Sequence, residues 1–331
     1  MATENQDITK LRFNSKTTLY QPENAYWMAK FSNYVYWSVG DKPEDRNNTV
    51  ERSSEEKKDV TPDEDRILKE LKTWDSNFLS VKGFNFKSSQ GIVVQHEDYV
   101  VAAFRGTDEL IDWLDNVKAS PTKGPLGNVH SGFYNALLDI WVRQGMWDSI
   151  QQLRERGTDD SVETNDKVWL NGLKKPKRSL WLTGHSLGGA MATLAAAWLA
   201  ERKIPFSGAY TFGQPRVGDD DFQVAFDTKL IKRFFRFQNN NDIVTRVPAR
   251  LMGYEHVGRY IHITEDGDLK ADVSWWHLFV DRLEGVVNNI LDNKIRLEII
   301  DDHDLEKKYR DSIRAWGNKL PDKWERFSEE M

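Results

Sequence analysis

The chain has 331 residues, of which 30% are charged and 39% hydrophobic, a composition typical of globular proteins and not of disordered or membrane-spanning ones. Its formal net charge of −6 disfavours nucleic acid as a partner, because phosphate binding relies on an excess of lysine and arginine. The absence of cysteine excludes disulfides, thiolate metal sites and a cysteine nucleophile.

The first twenty residues are polar and lack the apolar segment of a secretory signal. No stretch approaches the roughly 18 uninterrupted apolar residues that a spanning helix needs. We therefore expect a soluble protein without a transmembrane segment, cytoplasmic by default, with secretion left open.

Taken in chain order, the hydrophobic pattern changes to strands at about residue 78 and alternates between strands and helices from residue 179. Apolar residues at helical spacing predict helices at 22–39, 61–74, 133–153, 187–203 and 305–316. Short apolar runs predict strands at 78–86, 90–95, 99–104, 179–184, 206–213, 232–238 and 259–264. Charge-dense segments at 41–60 and 154–178 are typical of surface loops. This alternation predicts one α/β domain over residues 1–331, with a mostly parallel sheet and helices on both faces.

Residues 184–188 form a G-x-S-x-G element around Ser186. The pattern alone is weak, but here it stands between a predicted buried strand and a predicted helix rich in glycine and alanine. This context is typical of the nucleophile turn of α/β-hydrolases, in which flanking glycines allow the strand and helix to approach closely. The helix N-terminus also directs backbone N–H groups towards a developing oxyanion. We therefore predict Ser186 as the nucleophile of an α/β-hydrolase.

A serine nucleophile needs a histidine base and a carboxylate, which in this fold follow the serine in the order acid, then histidine. Asp242 follows the predicted strand 232–238 and is favoured over the run 219–221, which resembles a solvated helix start. Because the histidine must follow the serine and the acid in the chain, His96, His130 and His185 are excluded as the base. We interpret His130 and His185 as structural. The remaining candidates are His256, in a loop near Asp242, His262, which alternates within a strand, His277 and His303. The pattern favours His303, which precedes a helix, and leaves His277 open.

At this point six blocks in the chain resemble, in order, those of the class 3 lipases. The blocks are 100–116 with its FRGT, 129–137 with its HSGF, 182–194, 211–219, 241–248 with the downstream HVGRYIHI, and 302–309. The resemblance implies Ser186 as nucleophile, Asp242 as orienting acid and His303 as base. It also implies an oxyanion hole formed by Thr107 and the backbone N–H of Leu187. The absence of cysteine and of a visible signal makes the chain more similar to bacterial members than to secreted fungal ones.

The resemblance further implies a helical lid after the FRGT block, over residues 108–120. Its apolar residues fall on one predicted helical face and acidic residues on the other, although many surface helices share this pattern. A hinged lid of this kind would expose its apolar face at a lipid–water interface. The residues expected to contact lipid are Leu110, Ile111, Trp113, Leu114 and Val117.

We therefore expect a serine hydrolase of carboxylic esters, most plausibly triacylglycerol or other lipid esters. The alternatives are a phospholipase A1, an aryl esterase of the feruloyl type, and a catalytically silent lipase-like scaffold. We expect no cofactor and no metal, because histidines at zinc spacing are absent and the acidic run 219–221 is too compact for a calcium loop. The sequence does not specify the oligomeric state.

Overall fold

The fold is built on a sheet of eight strands within the residues described by the computed structural model, which are 7–40, 61–87, 89–106, 121–156, 177–240, 242–271 and 303–318. Its strands are β1 (Phe78–Phe86), β2 (Ser89–His96), β3 (Tyr99–Phe104), β6 (Ser179–His185), β7 (Gly208–Phe212), β8 (Phe234–Asn239), β9 (Arg259–Ile263) and β10 (Leu269–Ala271), and a separate hairpin is formed by β4 (Pro121–Gly124) and β5 (Gly127–His130). Across the sheet the strands run in the order β1-β2-β3-β6-β7-β8-β9-β10. The five strands from β3 to β9 are parallel, and antiparallel strands complete both edges. The predicted mostly parallel central sheet is therefore confirmed.

Helices pack on both faces of this sheet. They are α1 (Pro22–Tyr34), α2 (Glu64–Trp74), α3 (Ser131–Leu138), α4 (Met146–Arg154), α5 (Leu187–Glu201), α6 (Asp220–Leu230) and α7 (Asp311–Gly317). Short 3₁₀ turns follow β8 at Ile243–Arg246 and Arg250–Met252, and a π-helical turn at Leu305–Arg310 leads into α7.

Alternate residues of the central strands enter two separate cores. Leu180 and Leu182 of β6 pack with α3 and α5 on one face, whereas Trp181 faces α1 and the C-terminal turn on the other. The same alternation continues in β8, where Phe234 and Phe235 belong to opposite cores. A central parallel strand is buried on both sides, which explains why these runs are apolar without polar alternation.

Two helix boundaries differ from the sequence prediction. Helix α2 begins at Glu64 rather than near Thr61, because the Asp63 side chain caps it by accepting a hydrogen bond from Arg66 N–H at 3.1 Å. The predicted helix 133–153 is divided by Gly145, whose φ of 70° cannot belong to a right-handed helix.

The predicted surface loop 154–178 is described only at its two ends, and its first residue differs from the prediction. Arg154 is buried as the last residue of α4, and its Nε donates to the Arg178 carbonyl at 3.1 Å. The Arg178 guanidinium in turn donates to the carbonyls of His96, Glu97, Leu153 and Glu155. Arg178 therefore connects the end of strand β2 to the end of α4. Residues 157–176 and the other predicted loop, 41–60, lie outside the described residues. Across the described ranges, no helix has the length and apolar character to cross a membrane.

Candidate active site

Ser186 occupies a sharp turn between β6 and α5. Its φ of 58° and ψ of −129° are strained for a non-glycine residue, and its backbone N–H donates to the Phe212 carbonyl at 2.9 Å. A Cβ on Gly184 would overlap the Gly188 carbonyl, and a Cβ on Gly188 would overlap the Phe104 carbonyl. The two glycines of the element are therefore required by the close approach of β6, α5 and β3.

Asp242 and His303 form a buried hydrogen-bonded pair. Asp242 follows β8 and caps the turn Ile243–Arg246, where its Oδ1 accepts a hydrogen bond from Val244 N–H at 3.0 Å. Its Oδ2 lies 2.8 Å from His303 Nδ1. Because a carboxylate only accepts, Nδ1 carries the proton, which leaves Nε2 of the neutral ring as a base. The structure thus brings together two of the residues predicted from sequence, 61 positions apart.

Tyr309 also binds Asp242, and sequence reasoning did not identify it. Its hydroxyl donates to Asp242 Oδ2 and accepts a hydrogen bond from the backbone N–H of Asn239 at 3.0 Å. Burial, with the nearby negative charge of Asp242, raises the pKa of Tyr309 well above its ordinary value, so the hydroxyl remains a donor. The available signal was its position six residues after His303, inside the last family-like block.

Gly213 provides the space in which the pair meets. It has a φ of 57°, and a Cβ placed on it would lie 2.8 Å from both His303 Nδ1 and Asp242 Oδ2. Its chain neighbour Phe212 accepts the Ser186 backbone hydrogen bond. Gly213 therefore lets the imidazole lie against the same strand end that holds the serine turn.

Ser186 Oγ and His303 Nε2 are both buried, and neither makes a hydrogen bond within the described part of the chain. The ring of His185, adjacent to Ser186 in sequence, lies 4.3 Å from the His303 ring between centroids. Catalytic hydrogen bonds are often long or poorly aligned before substrate binds. The site therefore holds a hydroxyl donor and an imidazole acceptor in one buried cluster, each without a competing partner among the residues the structure describes.

The other sequence candidates lie in structural roles. Asp219 caps α6 by accepting a hydrogen bond from Phe222 N–H at 2.9 Å, as expected for a helix start. His256 bonds the Thr245 carbonyl at 2.7 Å. His262 is buried in β9 beside Tyr260.

His130 stacks on Phe133 with 4.1 Å between ring centroids, in keeping with a structural interpretation. Leu187 is the first residue of α5, a position whose backbone N–H has no partner within a helix. His277, Thr107 and the predicted lid with Leu110, Ile111, Trp113, Leu114 and Val117 lie outside the described residues. Among the residues that are described, no three His, Asp or Glu side chains group closely enough to hold a metal ion.

Comparisons with known proteins point to one family. The sequence model for lipase (class 3) matches residues 101–252. A phospholipase A1-II 1 of Oryza sativa is 29% identical over 243 residues, covering 68% of this chain and 59% of that protein. A secreted mono- and diacylglycerol lipase 1 of Fusarium solani is 32% identical over 162 residues, covering 47% of this chain and 41% of that protein. The chain thus spans less than two thirds of the length of these relatives.

A solved structure gives the fold independently. The crystal structure of a mutant MDLA from Penicillium cyclopium is 21% identical, covers 88% of this chain and 96% of its own, and has a TM-score of 0.57. The predicted α/β-hydrolase fold is thereby confirmed. Over residues 101–252 the chain is similar in sequence to the class 3 lipase family.

Proposed function

We propose that the protein hydrolyses carboxylic esters of lipids through an acyl-enzyme on Ser186. The observation that carries the proposal is the 2.8 Å hydrogen bond between Asp242 and His303, with Nε2 left as a buried acceptor beside the serine turn. A serine hydroxyl is a poor nucleophile until an oriented imidazole accepts its proton. The class 3 lipase family and the names of the relatives support a lipid ester as substrate.

The reaction follows from these groups. Ser186 Oγ attacks the acyl carbonyl while its proton passes to His303 Nε2, and the resulting imidazolium is stabilised by Asp242. Breakdown of the tetrahedral intermediate breaks the ester C–O bond, and the leaving alcohol takes the proton from Nε2. Water then attacks the acyl-enzyme, giving its proton to Nε2, and the proton returns to Oγ as the carboxylic acid leaves.

The negative charge of each tetrahedral intermediate requires preorganised donors. We infer that the N–H of Leu187, at the start of α5, is one such donor and that Thr107 supplies the other. Gly106, the residue before Thr107, supports this role, because a Cβ on it would lie 2.9 Å from Ser186 Cβ. The lid over 108–120, with its apolar face towards lipid, and a single domain over the whole chain remain part of the same proposal. The expectation of a bacterial-type member also stays a prediction.

Ser186→Ala tests the nucleophile, and Ser149→Ala is its matched control. Both serine hydroxyls are buried and lack a hydrogen bond among the described residues, but Ser149 lies in α4, away from the turn. We expect Ser186→Ala to lower kcat on a p-nitrophenyl ester by roughly 10⁴-fold or more and to abolish fluorophosphonate labelling. Ser149→Ala should retain both. Full activity of Ser186→Ala, or a wild-type chain that neither hydrolyses nor labels, contradicts the proposal.

The substrate class is tested with the wild-type chain. Rates on esters from acetyl to palmitoyl, below and above their solubility limits, distinguish a lipase from an esterase of soluble substrates. Diacylglycerol and phosphatidylcholine in mixed micelles are compared next. Preferred release of the first-position acyl chain from phosphatidylcholine would replace the neutral-lipid assignment with a phospholipase A1, the activity named for the rice relative.

A further inference from the structure

Tyr36 and His185 connect two parts of the site that come from distant regions of the chain. Tyr36 lies two residues after α1, and its hydroxyl accepts a hydrogen bond from Gly106 N–H at 3.0 Å. The same hydroxyl lies 3.3 Å from His185 Nδ1. His185 Nε2 lies 2.8 Å from the backbone carbonyl oxygen of His303. We propose that Tyr36 is a positioning residue that acts through His185, an inference that rests on the proposed function.

The direction of each hydrogen bond follows from the chemistry of its ends. A carbonyl oxygen only accepts, so His185 Nε2 carries the proton and donates to His303. Burial and the nearby His303 lower the pKa of His185 well below its ordinary value, so this ring is neutral. Neutral imidazole has one N–H, which makes Nδ1 the acceptor of the Tyr36 hydroxyl proton. The order of donation is therefore Gly106 to Tyr36, Tyr36 to His185, and His185 to His303.

This chain of hydrogen bonds links the proposed oxyanion hole to the proposed base, whose relative position matters in acyl transfer. One end is Gly106, which precedes the Thr107 proposed for the oxyanion hole. The other end is the main chain of His303, the proposed base. A Cβ on Gly106 would lie 2.6 Å from the Tyr36 hydroxyl and 2.9 Å from Ser186 Cβ, so the link passes directly beside the nucleophile. Tyr36 thus sets the position of Gly106, and with it the start of the proposed oxyanion hole, relative to the imidazole of His303.

The neutrality of His185 has a second effect on the reaction. Its ring lies 4.3 Å from that of His303, where a second positive charge would oppose formation of the imidazolium. Tyr36 donates to His185 Nδ1 and thereby favours the neutral form. The positioning of His303 and the neutrality of His185, both of which depend on Tyr36, therefore both favour the reaction.

Tyr36→Phe removes the hydroxyl and keeps the ring, which also faces the Arg105 guanidinium at 5.1 Å. The matched control is Tyr26→Phe, on α1, a buried tyrosine that takes no part in the link. Each variant is titrated with a fluorophosphonate to completion, so that kcat is expressed per active site and loss of folded protein does not count. We expect Tyr36→Phe to lower kcat on a short soluble ester by about 10- to 100-fold with KM changed less than about twofold. Tyr26→Phe should match the wild type.

The route through His185 is tested by a double-mutant cycle. In His185→Gln the amide nitrogen occupies roughly the place of Nε2 and can still donate to His303, but the acceptor for Tyr36 is lost. If Tyr36 acts through His185, Tyr36→Phe will lower kcat in the wild type and have little further effect in His185→Gln. If the two substitutions instead lower kcat by independent factors that multiply in the double variant, Tyr36 does not act through His185.

The possible failures are distinguishable. Equal kcat for Tyr36→Phe, Tyr26→Phe and the wild type overturns the inference and leaves the proposed function intact. Absence of ester hydrolysis in the wild type and in Tyr26→Phe overturns the proposed function itself. If His185→Gln does not fold, the comparison of the two tyrosine variants still decides whether Tyr36 positions the site.

Discussion

The Tyr309 hydroxyl and His303 Nδ1 bind the same carboxylate oxygen, Oδ2 of Asp242. The other oxygen, Oδ1, accepts the backbone N–H of Val244. The carboxylate is fully buried, and its hydrogen bonds offset the loss of hydration that burial imposes on its charge. Tyr309 therefore helps to keep a negative charge in a dry position beside the imidazole.

Tyr309→Phe should destabilise the fold by about 1–3 kcal/mol, because it removes a donor from the buried carboxylate and leaves Asn239 N–H without its partner. Urea unfolding measures this change. The matched control is Tyr254→Phe, which removes a buried hydroxyl that makes no hydrogen bond within the described chain. Equal stability of the two variants would show that the Tyr309 bond contributes nothing to the fold.

Gly213→Ala should impair catalysis, since the added methyl group would displace the His303 ring and Asp242. Gly253→Ala is a close control, because Gly253 also has a positive φ, 80°, but no atom of the described residues lies within 4 Å of the added Cβ. Both substitutions should cost roughly 1–2 kcal/mol of stability from the left-handed backbone. Only Gly213→Ala should also lower kcat, by about 100-fold or more. Similar kcat values would mean that the pair tolerates the methyl group.

His303→Ala should lower kcat by roughly 10⁴-fold or more, because no other base would then accept the serine proton. His277→Ala addresses the alternative that the sequence pattern leaves open, and we expect it to retain activity. Steady-state kinetics on a soluble ester is sufficient, with circular dichroism to verify folding. Loss of activity in His277→Ala alone would reverse the assignment of the base.

The stability of the protein should fall on acidification partly through His262. Burial, with Lys270 on the neighbouring strand, lowers the pKa of His262 from 6.5 to about 4. The unfolded chain therefore binds a proton that the folded state does not, so this contribution is lost as the pH falls from about 6.5 towards 4.

The amount lost is at most about 3 kcal/mol. Urea unfolding of the wild type and of His262→Asn at pH values across this window isolates it, because other buried histidines are common to both. We expect the difference in free energy of unfolding between the wild type and His262→Asn to become smaller as the pH falls. A difference that is independent of pH would contradict the lowered pKa.

Much of the site could be predicted because its signals are local. Ser186 stands between a buried strand and a small-residue helix, and Asp242 follows directly after β8. The choice of His303 over His277 needed the family-like block, because the local pattern favours His303 only through its place before a helix and leaves His277 open. The predicted start of α2 near Thr61 was wrong by a few residues, because Asp63 caps the helix instead.

The contributions of Tyr36 and Gly213 could not be predicted from the sequence. Tyr36 approaches the serine turn from the end of α1, 149 residues before His185 in the chain, and this contact depends on how α1 packs on the sheet. Gly213 looks like an ordinary residue after a strand, and only the position of the His303 ring explains the lack of a side chain. Both are consequences of packing rather than of periodicity.

The late position of the imidazole in the chain has a consequence for synthesis. Residues 303–318 carry His303 and Tyr309, and they pack through Ile313 and Trp316 onto the core formed with α1. They leave the ribosome after every described strand of the sheet has been made. A chain interrupted before residue 303 would keep the serine turn and Asp242 but lack the proposed base, so we expect hydrolysis to begin only when α7 has docked.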